Sequence, residues 1–559
     1  MAQAIVAQTS INQWSLRQRP PRQFSRLSST ASSMPKSFAF VFPMASGHIN
    51  PSLPIARGLV ERGHQVHYVC AQQMRKAIED TGAVFHAQID VEPELYEGRE
   101  PDEMGALGSL QQEHGLQGDS MGVARLKLTS VQLELQIPGI VRFLRKIGAE
   151  AVVYDPLFNV EAPLAAKTIG IPAVPLLTIA GPGCWENMLA ERFKPLSPED
   201  LDMAIAQCAP NIAAVERIRK TYGIDLDLGL PRPLAVLPGV AAAQGSCLVT
   251  TSSDLSDPMS HALQEAYASH GLEFEYVGPL LDKPGAVRGG VFLNKAEASC
   301  QEPCHDDIVE RVRAARTVGR AVVMVSMGTV ITGSLPQFGW EGRTVDEDGR
   351  AHGLTGREIC RAAWAGAFDA FGAASADEGP LLVVGLGPQP DPLGDLTVPP
   401  NAICAQLLPQ VDILKMGVDA FLTHGGQNSF TESLAQATPV VVCPGFGDQV
   451  INSRKAVDLG VGLKVDRPDP RVGDELAASE RYRSDVRDAL RSVYSEERFK
   501  QAAAECAERL RLAGGVEKSI NLVLAVASRG QGVRLVDKAA GHVNPVAQAS
   551  TTAHHLAGA

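Results

Sequence analysis

Two hydrophobic patterns alternate along this chain. Short, nearly unbroken apolar runs such as "FAFVFPMA" from Phe38 and "HQVHYVC" from His64 have no polar face, as expected of strands buried on both sides of a parallel sheet. Between them lie stretches with apolar positions three and four apart. The first is "NPSLPIARGLVERG", for which Asn50 is a candidate N-cap and Pro51 suits the first helical turn. Strand, helix and strand in about thirty residues make a βαβ unit. The alternation recurs at "AEAVVYDPLF", "VEAPLAAKTIG" and "IPAVPLLT", with a polar, acidic insertion from about Asp90 to Gly122.

A second series starts near Arg320. It reads as strand "AVVMVSMGT", helix "REICRAAWAGAFDAFG", strands "GPLLVVGLG" and "NAICAQLL", strand "VDAFLTHGG", a helix from Asn428, strand "TPVVVCPG" and a helix from about Gln449. The pattern predicts an α/β protein of two tandem, doubly wound, Rossmann-like domains facing a cleft, over residues 37–285 and 286–529. The joint is expected between Pro279 and Gly319. Residues 1–36 and 530–559 lack an apolar period and read as disordered tails. Ligands of open parallel sheets sit beyond the carboxyl ends of the strands, so both domains can aim their loops into one cleft.

Composition narrows the function. A chain of 559 residues with 45% hydrophobic and 20% charged residues fits two globular domains. Its net charge of −12 argues against a nucleic-acid or membrane-surface partner, so any anion site has to be built locally. No apolar run is long enough for a membrane span. Several of the ten cysteines sit in apolar strands, pointing to a reducing compartment and a cytoplasmic location. The N-terminal tail, with Arg17, Arg19, Arg22, Arg26, many Ser and no acid, resembles an organelle transit peptide and offers plastid or mitochondrion as the alternative. "CQEPCH" at Cys300, Cys304 and His305 has no second Cys/His pair, so no metal or cofactor is expected.

The stretch "FLTHGGQNSFTESL" (421–434) changes from strand to helix at His424-Gly425-Gly426. Such a hinge puts free N–H groups and the positive helix end beside two glycines that allow close approach, an anion site of the phosphate-binding kind. His424 and Ser429 add donors, and Glu432 can accept from a pair of sugar hydroxyls. In the first half, His48 follows Gly47 after the first strand, and Asp155 ends another strand. A neutral imidazole oriented by a carboxylate is suited to take a proton from a hydroxyl.

"LLPQVDIL" and the segment 421–462 resemble the nucleotide-sugar signature of the UDP-glycosyltransferases that act on small lipophilic molecules. "PMASGHINPSLPIARGLVERGH", "VVYDPL", "YVGPL" and "VSMGT" fall in that family's order across residues 37–515. The resemblance implies the GT-B fold, with the acceptor in the first half and the UDP-sugar in the second. Residue by residue it places Ser326, Gly328 and Thr329 in the nucleotide loop and Gln410 by the uracil. His424, Gly425, Gly426, Asn428 and Ser429 fall at the diphosphate, Glu432 at the ribose, and Asp448 with Gln449 on the transferred sugar. It implies an inverting hexosyltransferase, glucose first among sugars, with His48 as base and Asp155 as its partner. Leu407 stands where many members have a stacking Trp, which leaves a dTDP-sugar open beside UDP. Gln427 replaces a Trp common in plant members, and 333–355 is an insertion without counterpart. The rival readings are a non-catalytic UDP-sugar-binding protein, another GT-B enzyme such as a nucleotide-sugar epimerase, and a dehydrogenase, for which "GLGPQP" lacks the third glycine. The acceptor pocket is expected from 90–122 and 185–233.

Overall fold

The first sheet is built from seven strands: β1 (Ser37–Val41), β2 (Gln65–Cys70), β3 (Val84–Ala87), β4 (Ala151–Tyr154), β5 (Ala173–Leu177), β6 (Gly245–Val249) and β7 (Leu272–Tyr276). They are all parallel, in the order β3-β2-β1-β4-β5-β6-β7. β1 shows why the apolar run is unbroken. Phe38 and Phe40 pack into one helical layer, while Ala39 and Val41 pack into the other, and each is essentially unexposed. This computed structural model describes residues 34–192, 198–226, 236–243, 245–290, 305–334, 338–345 and 350–540.

The second sheet comprises β8 (Val322–Ser326), β11 (Leu381–Gly385), β12 (Ala402–Ala405), β13 (Ala420–Thr423), β14 (Val440–Val442) and β15 (Gly462–Lys464), also parallel, in the order β12-β11-β8-β13-β14-β15. A small antiparallel hairpin, β9 (Thr344–Val345) and β10 (Ala351–His352), lies within the expected insertion. Both sheets are doubly wound. Strand order reverses between β1 and β4 in the first and between β8 and β13 in the second, and a crevice opens beyond the strand ends at such a point.

Three expectations need correction. The helix expected from Asn50 starts earlier, with a turn at Ser46–Ile49 and a 3₁₀ turn at Asn50–Ser52 before Leu53–Glu61. Pro51 and Pro54 lack the N–H groups a continuous α-helix would use, so the chain enters by tighter turns. Asn50 is therefore no N-cap, and its side chain pairs with the main chain of Gly289. The C-terminal domain does not extend to residue 529. The helix Gly515–Ala540 returns to the first half, where Ile520, Val523, Val526 and Ala527 join the layer holding Phe38 and Phe40. Gly515 N donates to Val277 O at 2.7 Å at the crossing. The same helix carries regular structure to Ala540, past the expected start of the tail. Residues 1–33 and 541–559 lie outside the described residues, as do Cys300 and Cys304.

Candidate active site

The reversal point of the first sheet holds the histidine and the aspartate. β1 ends at Val41, and four residues later the turn Ser46–Ile49 raises His48 over the sheet edge, while Asp155 follows β4 directly. His48 Nδ1 lies 2.7 Å from Asp155 Oδ2. A carboxylate only accepts, so Nδ1 carries the hydrogen and Nε2 is the basic nitrogen. Asp155 is wholly buried, and its other oxygen accepts from the N–H groups of Leu157 and Phe158 at 2.9 and 3.0 Å. The carboxylate is thus fixed from both sides. Thr178, just after β5, puts its hydroxyl 3.0 Å from the same Nδ1, and the Phe158 ring meets the imidazole edge-on at 4.8 Å. Burial pushes the His48 pKa down, but the charge and hydrogen bond of Asp155 outweigh it and hold the pKa above the ordinary 6.5.

At the reversal point of the second sheet, β13 ends in His424-Gly425-Gly426 and the helix Gln427–Ala435 follows, with Gly426 at its N-cap and no side-chain cap. The N–H groups of its first turn have no intrahelical partners. One of them, Gln427 N, donates to Asp448 Oδ2 at 2.8 Å, so Asp448 caps this helix from the neighbouring one, Asp448–Asp458. Burial pushes the Asp448 carboxyl up. The glycines make room for His424 itself. Gly328 has φ +85°, and a Cβ there would lie 2.6 Å from the imidazole; one on Gly426 would lie 2.6 Å from its Nε2. Gly425 has φ +83° and packs on Val442. Burial, assisted by Arg467, drives the His424 pKa down to about 4, leaving a neutral ring whose buried Nδ1 has no partner among the described residues.

Gln410 turns its amide nitrogen to Ser429 Oγ at 3.1 Å and Glu432 Oε2 at 2.7 Å, tying the expected base contact to the expected ribose contact. Gln449 Oε1 accepts from Gly445 N at 2.9 Å. The halves meet where Asn428 Nδ2 donates to Gly47 O at 2.9 Å, one residue before His48.

A cavity of about 3460 Å³ lies between the sheets. It is lined by His48, Ser326, Gly328, Thr329, Gln410, His424, Gly426, Asn428, Ser429, Glu432, Asp448 and Gln449, with Asp155 directly behind His48 and Gly425 behind the glycine turn. Such a volume exceeds the roughly 300–1,000 Å³ of a site for one small ligand. Tyr96, Glu103 and Met104 from the first expected acceptor segment reach its wall, as do Trp185, Met188 and Ile205 from the second. Residues 193–197 and 227–235 of that segment lie outside the described residues.

The sequence reading missed Arg125 and the helix Thr129–Lys146, whose Gln132, Leu133 and Gln136 face the cavity. Thr178 and Arg288 were missed as well. Thr178 had a faint signal, a polar residue closing the apolar run "VPLL" beside the strand before Asp155. From the insertion, Phe338 packs on Phe446 at a tilt of 33° with ring centroids 4.5 Å apart, two residues before Asp448. His305 pairs with Asp306 and Asp412, and among the described residues no group of three His, Cys, Asp or Glu side chains is arranged to hold a metal ion.

Two facing doubly wound sheets, with a glycine turn leading into a helix in one and a His–Asp pair in the other, fit the GT-B architecture. Solved structures agree on the fold. The kitacinnamycin glycosyltransferase aligns with a TM-score of 0.55 at 20% identity, over 88% of this chain and 100% of that one. CalG4, the calicheamicin glycosyltransferase, aligns at 0.54 and 20%, over 89% and 99%. Residues 386–507 match the family described as UDP-glucoronosyl and UDP-glucosyl transferase. The NDP-glycosyltransferase YjiC of Bacillus licheniformis is 23% identical over 86% of this chain and 95% of its own. The chain is thus similar to UDP-glycosyltransferases along most of its length, with the family match itself in residues 386–507, and it is a glycosyltransferase.

Proposed function

We propose that the protein transfers a hexose, glucose in the first instance, from its UDP-sugar to a hydroxyl of a small lipophilic acceptor with inversion at the anomeric carbon. The observation that carries this reading is the His48–Asp155 pair, 2.7 Å apart and bridged to the glycine turn through Asn428 and Gly47. His48 Nε2 takes the proton as the acceptor oxygen bonds to the anomeric carbon. The bond from that carbon to the β-phosphate oxygen breaks on the opposite face, and UDP departs. Asp155 stabilises the imidazolium, which then releases its proton to solvent. The charge growing on the diphosphate falls to the first turn of Gln427–Ala435, to Ser429 and to the neutral His424 ring. Glu432, with Gln410 fixing one of its oxygens, accepts from the ribose hydroxyls, and Asp448 and Gln449 hold the sugar.

The acceptor side mixes Leu133, Phe158, Met188 and Trp185 with Gln132, Gln136 and Glu103, which suits an apolar molecule carrying hydroxyls. The test is UDP release from UDP-glucose with a panel of phenolic and terpenoid alcohols, followed by the anomeric coupling constant of the product in proton NMR. A β-glucoside supports the reading, and an α-glucoside refutes the single-displacement step. UDP release at the same rate without any alcohol would make the protein a hydrolase instead.

A further inference from the structure

The segment Asp282–Gly290, between the two halves, runs along the cavity wall and is fastened at nearly every residue. Lys415 Nζ donates to Asp282 O, Gly285 N to Asp412 Oδ2 at 3.0 Å, and Val287 N to Asp80 Oδ2 at 3.1 Å. Gly289 exchanges two hydrogen bonds with the side chain of Asn50, at 2.7 and 3.2 Å. From this fixed backbone Arg288 crosses to the second half. Its Nη2 donates to Glu432 Oε1 at 2.6 Å, while the other oxygen of Glu432 is taken by Gln410. The second terminal nitrogen, Nη1, is buried and has no hydrogen-bond partner among the described residues.

A guanidinium is always charged and presents five N–H groups in a planar fork; the Arg288 side chain is 30% exposed and pairs with Glu432 through Nη2, but its inward Nη1 is buried and unmatched, which is costly unless an anion meets it. Here it stands beside the helix whose first turn faces the proposed diphosphate. A lone carboxylate already shared with Gln410 does not use the fork. We propose that Arg288 is a donor-binding residue, its guanidinium bridging Glu432 and a phosphate of the bound nucleoside diphosphate; this rests on the donor site proposed above. Asn50, which pins the neighbouring Gly289, lies two residues from His48.

The experiment compares wild type, Arg288→Ala and Arg288→Lys as full-length proteins, with UDP affinity read by calorimetry and uridine affinity by ligand-observed NMR. A charge-assisted contact to phosphate predicts that Arg288→Ala weakens UDP by about ten- to a hundredfold while uridine changes by less than about threefold. Arg288→Lys should recover part of the loss, and it keeps the test decisive if the alanine variant does not fold. Equal loss for UDP and uridine would mean that Arg288 only props Glu432. Tighter UDP binding in Arg288→Ala would mean that it competes with the nucleotide. Either result overturns the proposal and leaves the donor site standing. A wild-type protein that does not bind UDP overturns both.

Discussion

Asp155→Asn isolates the chemistry at the base with the least change in shape. The amide oxygen can still accept from Leu157 and Phe158, but the group facing His48 Nδ1 at 2.7 Å becomes an N–H donor. The ring then favours the tautomer with hydrogen on Nε2, the nitrogen that should receive the acceptor's proton. The electrostatic part can be sized. Two unit charges about 4 Å apart interact by about 4 kcal/mol at an effective dielectric of about 20, and Asp155 is fully buried, so little is lost to solvent. That corresponds to roughly a thousandfold in rate. Thr178 Oγ1, 3.0 Å from Nδ1, can accept a hydrogen there and keep part of the population in the useful tautomer, which argues against a larger loss.

The assay is UDP release as kcat/KM against pH, beside UDP affinity. Wild-type activity should fall as the pH drops through the His48 pKa, and that limb should lie above 6.5 because Asp155 raises it. Without the carboxylate the lowering effect of burial gains weight, so the limb of Asp155→Asn should move to lower pH while its plateau drops about a thousandfold and UDP affinity holds. A variant within about threefold of wild type, or a limb shifted to higher pH, would refute the reasoning.

Leu407 is 42% exposed on the cavity wall, and Leu407→Trp should give the base a stacking partner and tighten UDP by about five- to a hundredfold, read by calorimetry; unchanged affinity would remove the base from that wall. In Gly328→Ala the new Cβ would press on the His424 ring at 2.6 Å from a backbone at φ +85°, so UDP affinity should fall by at least about tenfold, while wild-type affinity would contradict the packing. Ile520→Ala removes a side chain that is 2% exposed where the last helix meets the first half. It should cost about 2–5 kcal/mol in denaturant unfolding, and a cost under about 0.5 kcal/mol would mean that this helix is not docked there.

The parts of this molecule legible in its sequence are those written in local pattern. Strands such as β1 and β8, covered on both faces, have to be apolar throughout, and the switch from that run to helical spacing marks both His48 and His424. Gly425 and Gly426 are legible as a tight hinge. The second role of Gly426, clearing space with Gly328 for the His424 ring, is a tertiary fact and has no period. The same holds for Arg288, an arginine in a glycine-rich connection whose partner is 144 residues away. Thr178 gains meaning only once β5 is known to lie beside β4. The last helix looks like a continuation of the second domain, because nothing in "INLVLAVAS" states which sheet it covers. Asp448 shows the limit from the other side. At a helix start it suggests a cap for its own helix, and the fold uses it to cap a different one.

The central claim is that His48 is the base of a sugar transfer supported by this glycine turn. Its most direct test is acceptor-dependent UDP release from UDP-glucose by wild type and His48→Ala, with UDP binding measured on both. The account predicts release that His48→Ala abolishes while UDP affinity stays within about threefold. Undiminished release by His48→Ala would contradict it.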